Sequence, residues 1–166
     1  IPIIAANMHR MILPRQSQIW AVVKAGQPLQ KLYYQICSGL LGRLCFSGEP
    51  DALSAAQWTV MDEGTAFYGK AASIIDHGVS QRFGSRIISY RAPKGWQAVV
   101  RRGETQTLVV VHTFGAAPEA VTLPEGGKIA AQLMREGLTV THLDGQLAVH
   151  GLTDFDAAAF ILENEG

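Results

Sequence analysis

The chain has 166 residues, 48% hydrophobic and 17% charged, and its Lys and Arg match its Asp and Glu for a formal net charge of +0. That apolar content suits a folded core and excludes an intrinsically disordered chain; the balanced charge makes no electrostatic case for a nucleic-acid or anionic-membrane partner. Two cysteines, Cys37 and Cys45, are too few for a disulfide framework and read as reduced core thiols; no Cys-x-x-Cys or His-x-x-x-His spacing offers a zinc site, so neither metal nor cofactor is expected.

In chain order, Ile1-Pro2-Ile3-Ile4-Ala5-Ala6 is an apolar run. No Met or basic region precedes it, which argues against a signal peptide, and it falls short of the ~20 residues of a membrane span. It reads as a buried strand of a parallel sheet, covered on both faces. A chain that opens inside such a strand is expected to be a fragment. Residues 18–23 read as a helical turn or short helix. Gly26-Gln27-Pro28 breaks the chain, and Leu29, Leu32, Tyr33, Ile36 and Leu40 then recur at helical spacing, which predicts a helix over 28–40. Leu44-Cys45-Phe46 reads as a short buried strand closed by the turn Ser47-Gly48-Glu49-Pro50. Ser54 and Gln57 have the spacing of a capping box, and Trp58, Met61, Phe67 and Ala71 continue a helix over 54–74. Trp20 and Trp58 read as core residues. Strand, helix, strand, helix is the order of parallel α/β units. Two strands do not make a self-sufficient parallel sheet, so the remainder is expected upstream.

The pattern changes near Asp76. Short strands are predicted at 80–83, 86–91, 96–102, 106–114, 119–123, 128–134, 138–142, 146–150 and 157–162, separated by turns such as Pro93-Lys94-Gly95 and Pro124-Glu125-Gly126-Gly127. Asp144-Gly145 is a hairpin signal. Leu108-Val109-Val110-Val111 reads as a central strand buried on both faces. Arg101-Arg102 reads as a solvated strand end. The spacing suggests an antiparallel sandwich or barrel.

Three blocks of sequence carry a resemblance. The first is Asn7-Met8-His9-Arg10 with Pro14-Arg15-Gln16-Ser17-Gln18-Ile19-Trp20. The second is Gly39-Leu40-Leu41-Gly42-Arg43-Leu44-Cys45-Phe46-Ser47-Gly48, followed by Leu53-Ser54-Ala55-Ala56-Gln57-Trp58. The third is Arg82-Phe83-Gly84 with Pro93-Lys94-Gly95-Trp96-Gln97-Ala98. In this order they resemble the C-terminal part of glycoside hydrolase family 36, the bacterial α-galactosidase-like enzymes of clan D. The resemblance implies an α+β fragment: the last strand–helix units of a (β/α)₈ barrel over about 1–75, then a C-terminal antiparallel β-sandwich over about 76–166.

It also implies a retaining glycosidase with two carboxylates at the carboxyl ends of barrel strands. Both motifs are expected upstream, so no catalytic residue is assigned in this chain. Asn7, His9 and Glu49 are the candidate substrate-binding residues, each expected just beyond the carboxyl end of a strand. The competing roles are structural: His9 fixing Arg10 or a backbone carbonyl, and Glu49 a turn charge. Trp96 suits either a sugar platform or a strand anchor. Expected partners are an α-galactoside-type oligosaccharide, the upstream part of the same protein and a second copy in a homo-oligomer, in the cytoplasm. The alternative is a non-catalytic β-sandwich module for glycan binding or oligomerisation.

Overall fold

A computed structural model describes residues 1–164. Its first element corrects the first expectation: Pro2–Met8 is an α-helix, α1, and residues 1–6 form no strand. Pro2 sits in the first turn, where its fixed φ favours a helix and its missing N–H is not needed. Pro2, Ile3, Ala5 and Ala6 are buried while Ile4 is exposed, a one-sided pattern with the helical period. The strand comes later. Gln18–Val23, which reads as a helical turn or short helix, is strand β1. Its Ile19, Ala21 and Val23 alternate inward while Trp20 points outward, 48% exposed.

Leu29–Gly39 forms α2 and Arg43–Gly48 forms β2, both close to their predicted positions. β1 and β2 pair in parallel from Gln18 opposite Arg43 to Val23 opposite Gly48, with α2 as the crossover. Leu32 and Ile36 along α2 and Leu40 just past its end are fully buried, each contributing about 1.5–3 kcal/mol by leaving water. Ala55–His77 forms α3. The capping box is present: Ser54 Oγ accepts from the Gln57 amide, and the Gln57 side chain accepts from the Ser54 amide.

The rest is antiparallel. Strands β3 (Val79–Gly84), β4 (Trp96–Arg102), β5 (Gln106–Thr113), β6 (Ala120–Leu123), β7 (Ile129–Met134), β8 (Thr139–Leu143), β9 (Gln146–His150) and β10 (Ala157–Glu163) make two sheets. One has the order β3-β4-β5-β10-β7, the other β6-β9-β8. β5 is central and buried throughout 107–113, as its apolar run predicts. Its Leu108 and Val110, with Val99 and Ile161, pack under α2 and α3. Val109 and Val111, with Ala98 and Phe160, pack against Val121, Leu147 and Val149 of the smaller sheet. The five-stranded sheet is therefore covered on both sides, and the helical half and the strand-rich half share one apolar cluster.

Asp144 and Gly145 both adopt positive φ at the β8–β9 turn, as a two-residue hairpin of the predicted kind requires. Residues 86–91 are not a strand. Pairing of β3 with β4 ends at Gly84 opposite Gln97, so the following residues have no neighbouring ladder and Ile88 is 90% exposed. Trp20 and Trp58 are not core residues; both are exposed, whereas Trp96 packs partly buried on the sheet. The Arg101-Arg102 pair is divided by the pleat. Arg101 is fully buried, and Arg102 faces out and pairs with Glu125. Cys37 is buried and Cys45 partly so; both are free. No helix among the described residues is long and apolar enough to cross a membrane.

Candidate functional site

Parallel strands place loops for chemistry at their carboxyl ends. Here those ends lie side by side. The Glu49 amide donates to the Val23 carbonyl at 2.9 Å, immediately after the last paired residues. Gly48 sits between them with φ +115, where a Cβ would lie 1.9 Å from the Val23 carbonyl oxygen; only glycine allows this approach. The loop after β1 is tied down from α3. Gln57, buried, donates through Nε2 to the Lys24 and Gln27 carbonyls at 3.1 Å each. The Lys24 amide in turn donates to Gln27 Oε1 at 3.3 Å. This rim carries Lys24, Glu49 and, in the next turn, Asp51. Glu49 therefore stands where the sequence reading puts it.

Asn7 and His9 do not. They lie on α1 and just past its end, not beyond a strand. They border a cleft of about 330 Å³, formed between α1 and strands β3 and β4 and lined further by Arg10, Ser80, Arg82 and Val99. Glu49 is absent from that lining. Asn7 Nδ2 donates to the Tyr90 hydroxyl at 3.1 Å.

His9 belongs to a polar chain that starts at Arg101. Arg101 is 1% exposed, on the helix-facing side of β4 opposite Ser80. It donates through Nε to Ser80 Oγ at 2.9 Å, through Nη2 to the Leu41 carbonyl at 2.8 Å, and through Nη2 to His9 Nδ1 at 3.4 Å. An arginine only donates, so His9 Nδ1 must be the unprotonated nitrogen. Its Nε2 then carries the hydrogen and donates to Ser17 Oγ at 3.3 Å, and Ser17 Oγ donates to the Pro14 carbonyl at 3.0 Å. Burial, and then the Arg101 charge, push the His9 pKa down to about 4. Burial lowers that of Arg101 to about 10, which leaves it charged at neutral pH.

Sequence reasoning missed Ser80 and Arg101 as members of this cleft and its wall. The available signal was the two-residue alternation of β3 and β4, which puts Ser80, Arg82, Val99 and Arg101 on one face. Among the described residues, no group of three or more His, Cys, Asp or Glu could hold a metal ion.

No family model and no curated protein matches the sequence. Solved structures do match in fold. The galactosidase domain of an α-galactosidase–sucrose kinase, AgaSK, superposes with a TM-score of 0.64 at 13% identity, over 96% of this chain and 24% of that one. The family 36 α-galactosidase AgaA from Geobacillus stearothermophilus does so with a TM-score of 0.53 at 15% identity, over 89% and 21%. An Anoxybacillus α-amylase does so with a TM-score of 0.54 at 16% identity, over 84% and 34%. The resemblance to family 36 α-galactosidases read from the sequence thus has its counterpart in the fold. The chain spans about a fifth to a third of these structures, from 21% to 34% of their lengths.

Proposed function

We propose that this chain is the C-terminal segment of a retaining α-galactosidase-like glycoside hydrolase. In this reading, residues 1–75 complete a (β/α)₈ barrel, and 76–166 form an antiparallel sandwich that buttresses it. The observation that carries it is the parallel β1–α2–β2–α3 succession laid on an antiparallel sheet. The fold similarity to AgaSK and AgaA supports the same reading. The segment contributes one rim of the sugar pocket, with Glu49 beside Lys24 at the strand ends, and is not catalytic alone. Its first partner is the upstream part of the same protein, its substrate is an α-galactoside-type oligosaccharide, and its compartment is the cytoplasm.

The test is an assay of two proteins on aryl α-glycosides: the 166-residue chain, and the protein encoded by the whole surrounding open reading frame. Turnover of an α-galactoside by the long protein and none by the chain is expected. Turnover by the chain alone would overturn the incomplete-site reading. Cleavage of α-glucosides only by the long protein would move it toward the amylase-like neighbour.

A second reading has its own observation. Trp20 and Trp58 are each more than 40% exposed, at 48% and 43%. Exposed indole faces suit a sugar ring or a second copy of the chain, which favours a non-catalytic glycan-binding or oligomerising module. Binding of a galacto-oligosaccharide by the chain, lost on Trp20→Ala, would support it.

A further inference from the structure

We propose that the cleft between α1 and strands β3 and β4 binds a small oxyanion, a phosphate or carboxylate group. This does not depend on the glycosidase reading.

Three cations converge there. Arg10 and Arg82 line the cleft, and Arg101 lies directly behind it, because Ser80 and His9, which Arg101 touches, are themselves wall residues. Among the described residues, no carboxylate lines the cleft. The two ion pairs among the described residues use other arginines, Arg102 with Glu125 and Arg135 with Asp156.

The buried guanidinium is the decisive group. Taking an arginine out of water costs several kcal/mol unless an anion or a full set of acceptors compensates it. The described partners of Arg101 are all neutral: a hydroxyl, a carbonyl and an imidazole in its neutral form, with Nδ1 as acceptor. Its Nη1 is buried with no hydrogen-bond partner among the described residues. No described residue neutralises its positive charge, which lies one hydrogen bond behind the cleft wall, where a low dielectric strengthens its field.

Arg82 is preorganised for the same task. Its Nη2 donates to the Ser85 carbonyl at 2.9 Å and its Nε faces Gln97 Oε1 at 3.4 Å, which hold the guanidinium in place. A fixed guanidinium loses little freedom when it grips an oxyanion. Asn7, held by Tyr90, adds a neutral polar group. The volume, about 330 Å³, is at the small end of the ~300–1,000 Å³ range of small-molecule sites. It admits an inorganic anion or an acid group with a short organic tail.

Isothermal titration of the 166-residue chain with inorganic phosphate, at ionic strength held constant with chloride, tests this. A parallel titration with acetate separates a carboxylate from a phosphate preference. Saturable binding of either anion supports the site, provided an Arg10→Gln/Arg82→Gln double variant loses at least about tenfold in affinity while keeping its circular dichroism and chloride-buffer Tm. Arg82→Lys is expected to fall between the two. If neither anion saturates, or if the wild type and the double variant bind equally, the proposal is wrong.

Discussion

Asp156 and Arg135 form a buried fork. Arg135 Nε and Nη2 both donate to Asp156 Oδ2, at 2.9 and 2.6 Å, and the carboxylate has no exposed surface. It also accepts from the amides of Thr153 at 3.2 Å and Ala157 at 2.9 Å and from the Thr153 hydroxyl at 3.3 Å. Asp156 thus fixes the chain as it enters β10, the strand between β5 and β7.

Removing one member of a buried, hydrogen-bonded pair leaves the other uncompensated, which typically costs 3–5 kcal/mol. Arg135 keeps partial exposure at 21%, so it can recover some hydration. Asp156→Asn is expected to destabilise by about 3 kcal/mol, read as a lower urea midpoint at unchanged m-value. A change under about 1 kcal/mol would show that the amide contacts, not the ion pair, hold this corner.

His112 is fully buried on β5, with Nε2 3.2 Å from Ser38 Oγ and its ring edge-on to Tyr34 at 5.1 Å. Burial pushes its pKa down to about 3, from an ordinary 6.5. The unfolded chain therefore takes up a proton that the folded chain refuses. Stability is full above pH 6.5 and falls as the pH drops from there toward 3. The slope approaches about 1.4 kcal/mol per pH unit for one such group, and His9, pushed to about 4, adds to it in the same direction. Urea midpoints between pH 7 and 4.5 measure the slope. His112→Gln is expected to flatten it, and an equally steep slope in that variant would place its origin elsewhere.

Gln57 closes its own capping box and also holds the carbonyls of Lys24 and Gln27. Gln57→Ala keeps the backbone amide that Ser54 Oγ caps but strands the Ser54 amide and the partly buried Lys24 and Gln27 carbonyls, a loss of about 2 kcal/mol in all, whereas losing the Ser54 cap costs about 1 kcal/mol. Gln57→Ala is expected to destabilise by about 2 kcal/mol and to speed amide exchange in the loop after β1. Ser54→Ala, which removes only the cap, should cost about half as much. Equal losses in the two variants would show that the loop bonds contribute nothing.

Trp20 and Trp58 are open to solvent while Trp96 packs on the sheet. Acrylamide should quench most of the native fluorescence. Trp20→Phe and Trp58→Phe should each remove part of the accessible fraction and shift stability by less than about 0.5 kcal/mol. If Trp20→Phe leaves the quenchable fraction intact, the outer face of β1 is covered in solution, as a second copy of the chain would cover it.

The candidate site was legible where chemistry is local and obscure where it is not. Glu49 follows a short apolar run and the Ser-Gly pair that ends β2, so its place at a strand end could be read directly. The expected place of Asn7 and His9 depends on reading residues 1–6 as a strand, and only their apolarity supports that reading. A six-residue apolar run has the same composition in a buried strand and in a short buried helix. Arg101 looked like half of a solvated pair, because charge adjacency in sequence hides the fact that neighbours in a strand face opposite ways.

The sequence by itself determined the elements whose causes lie within a few residues. These are the Ser54–Gln57 cap of α3, the periodic face of α2, the Asp144-Gly145 hairpin and the doubly buried run of β5. Tertiary structure decided the rest. It made residues 2–8 a helix and 18–23 the first parallel strand, left 86–91 without a partner, and drew Arg101 into the wall of a cleft. Each of these depends on which distant backbone or side chain supplies the hydrogen bonds and covers the apolar face. That pairing is a property of the packed whole and has no signature in the local run of residues.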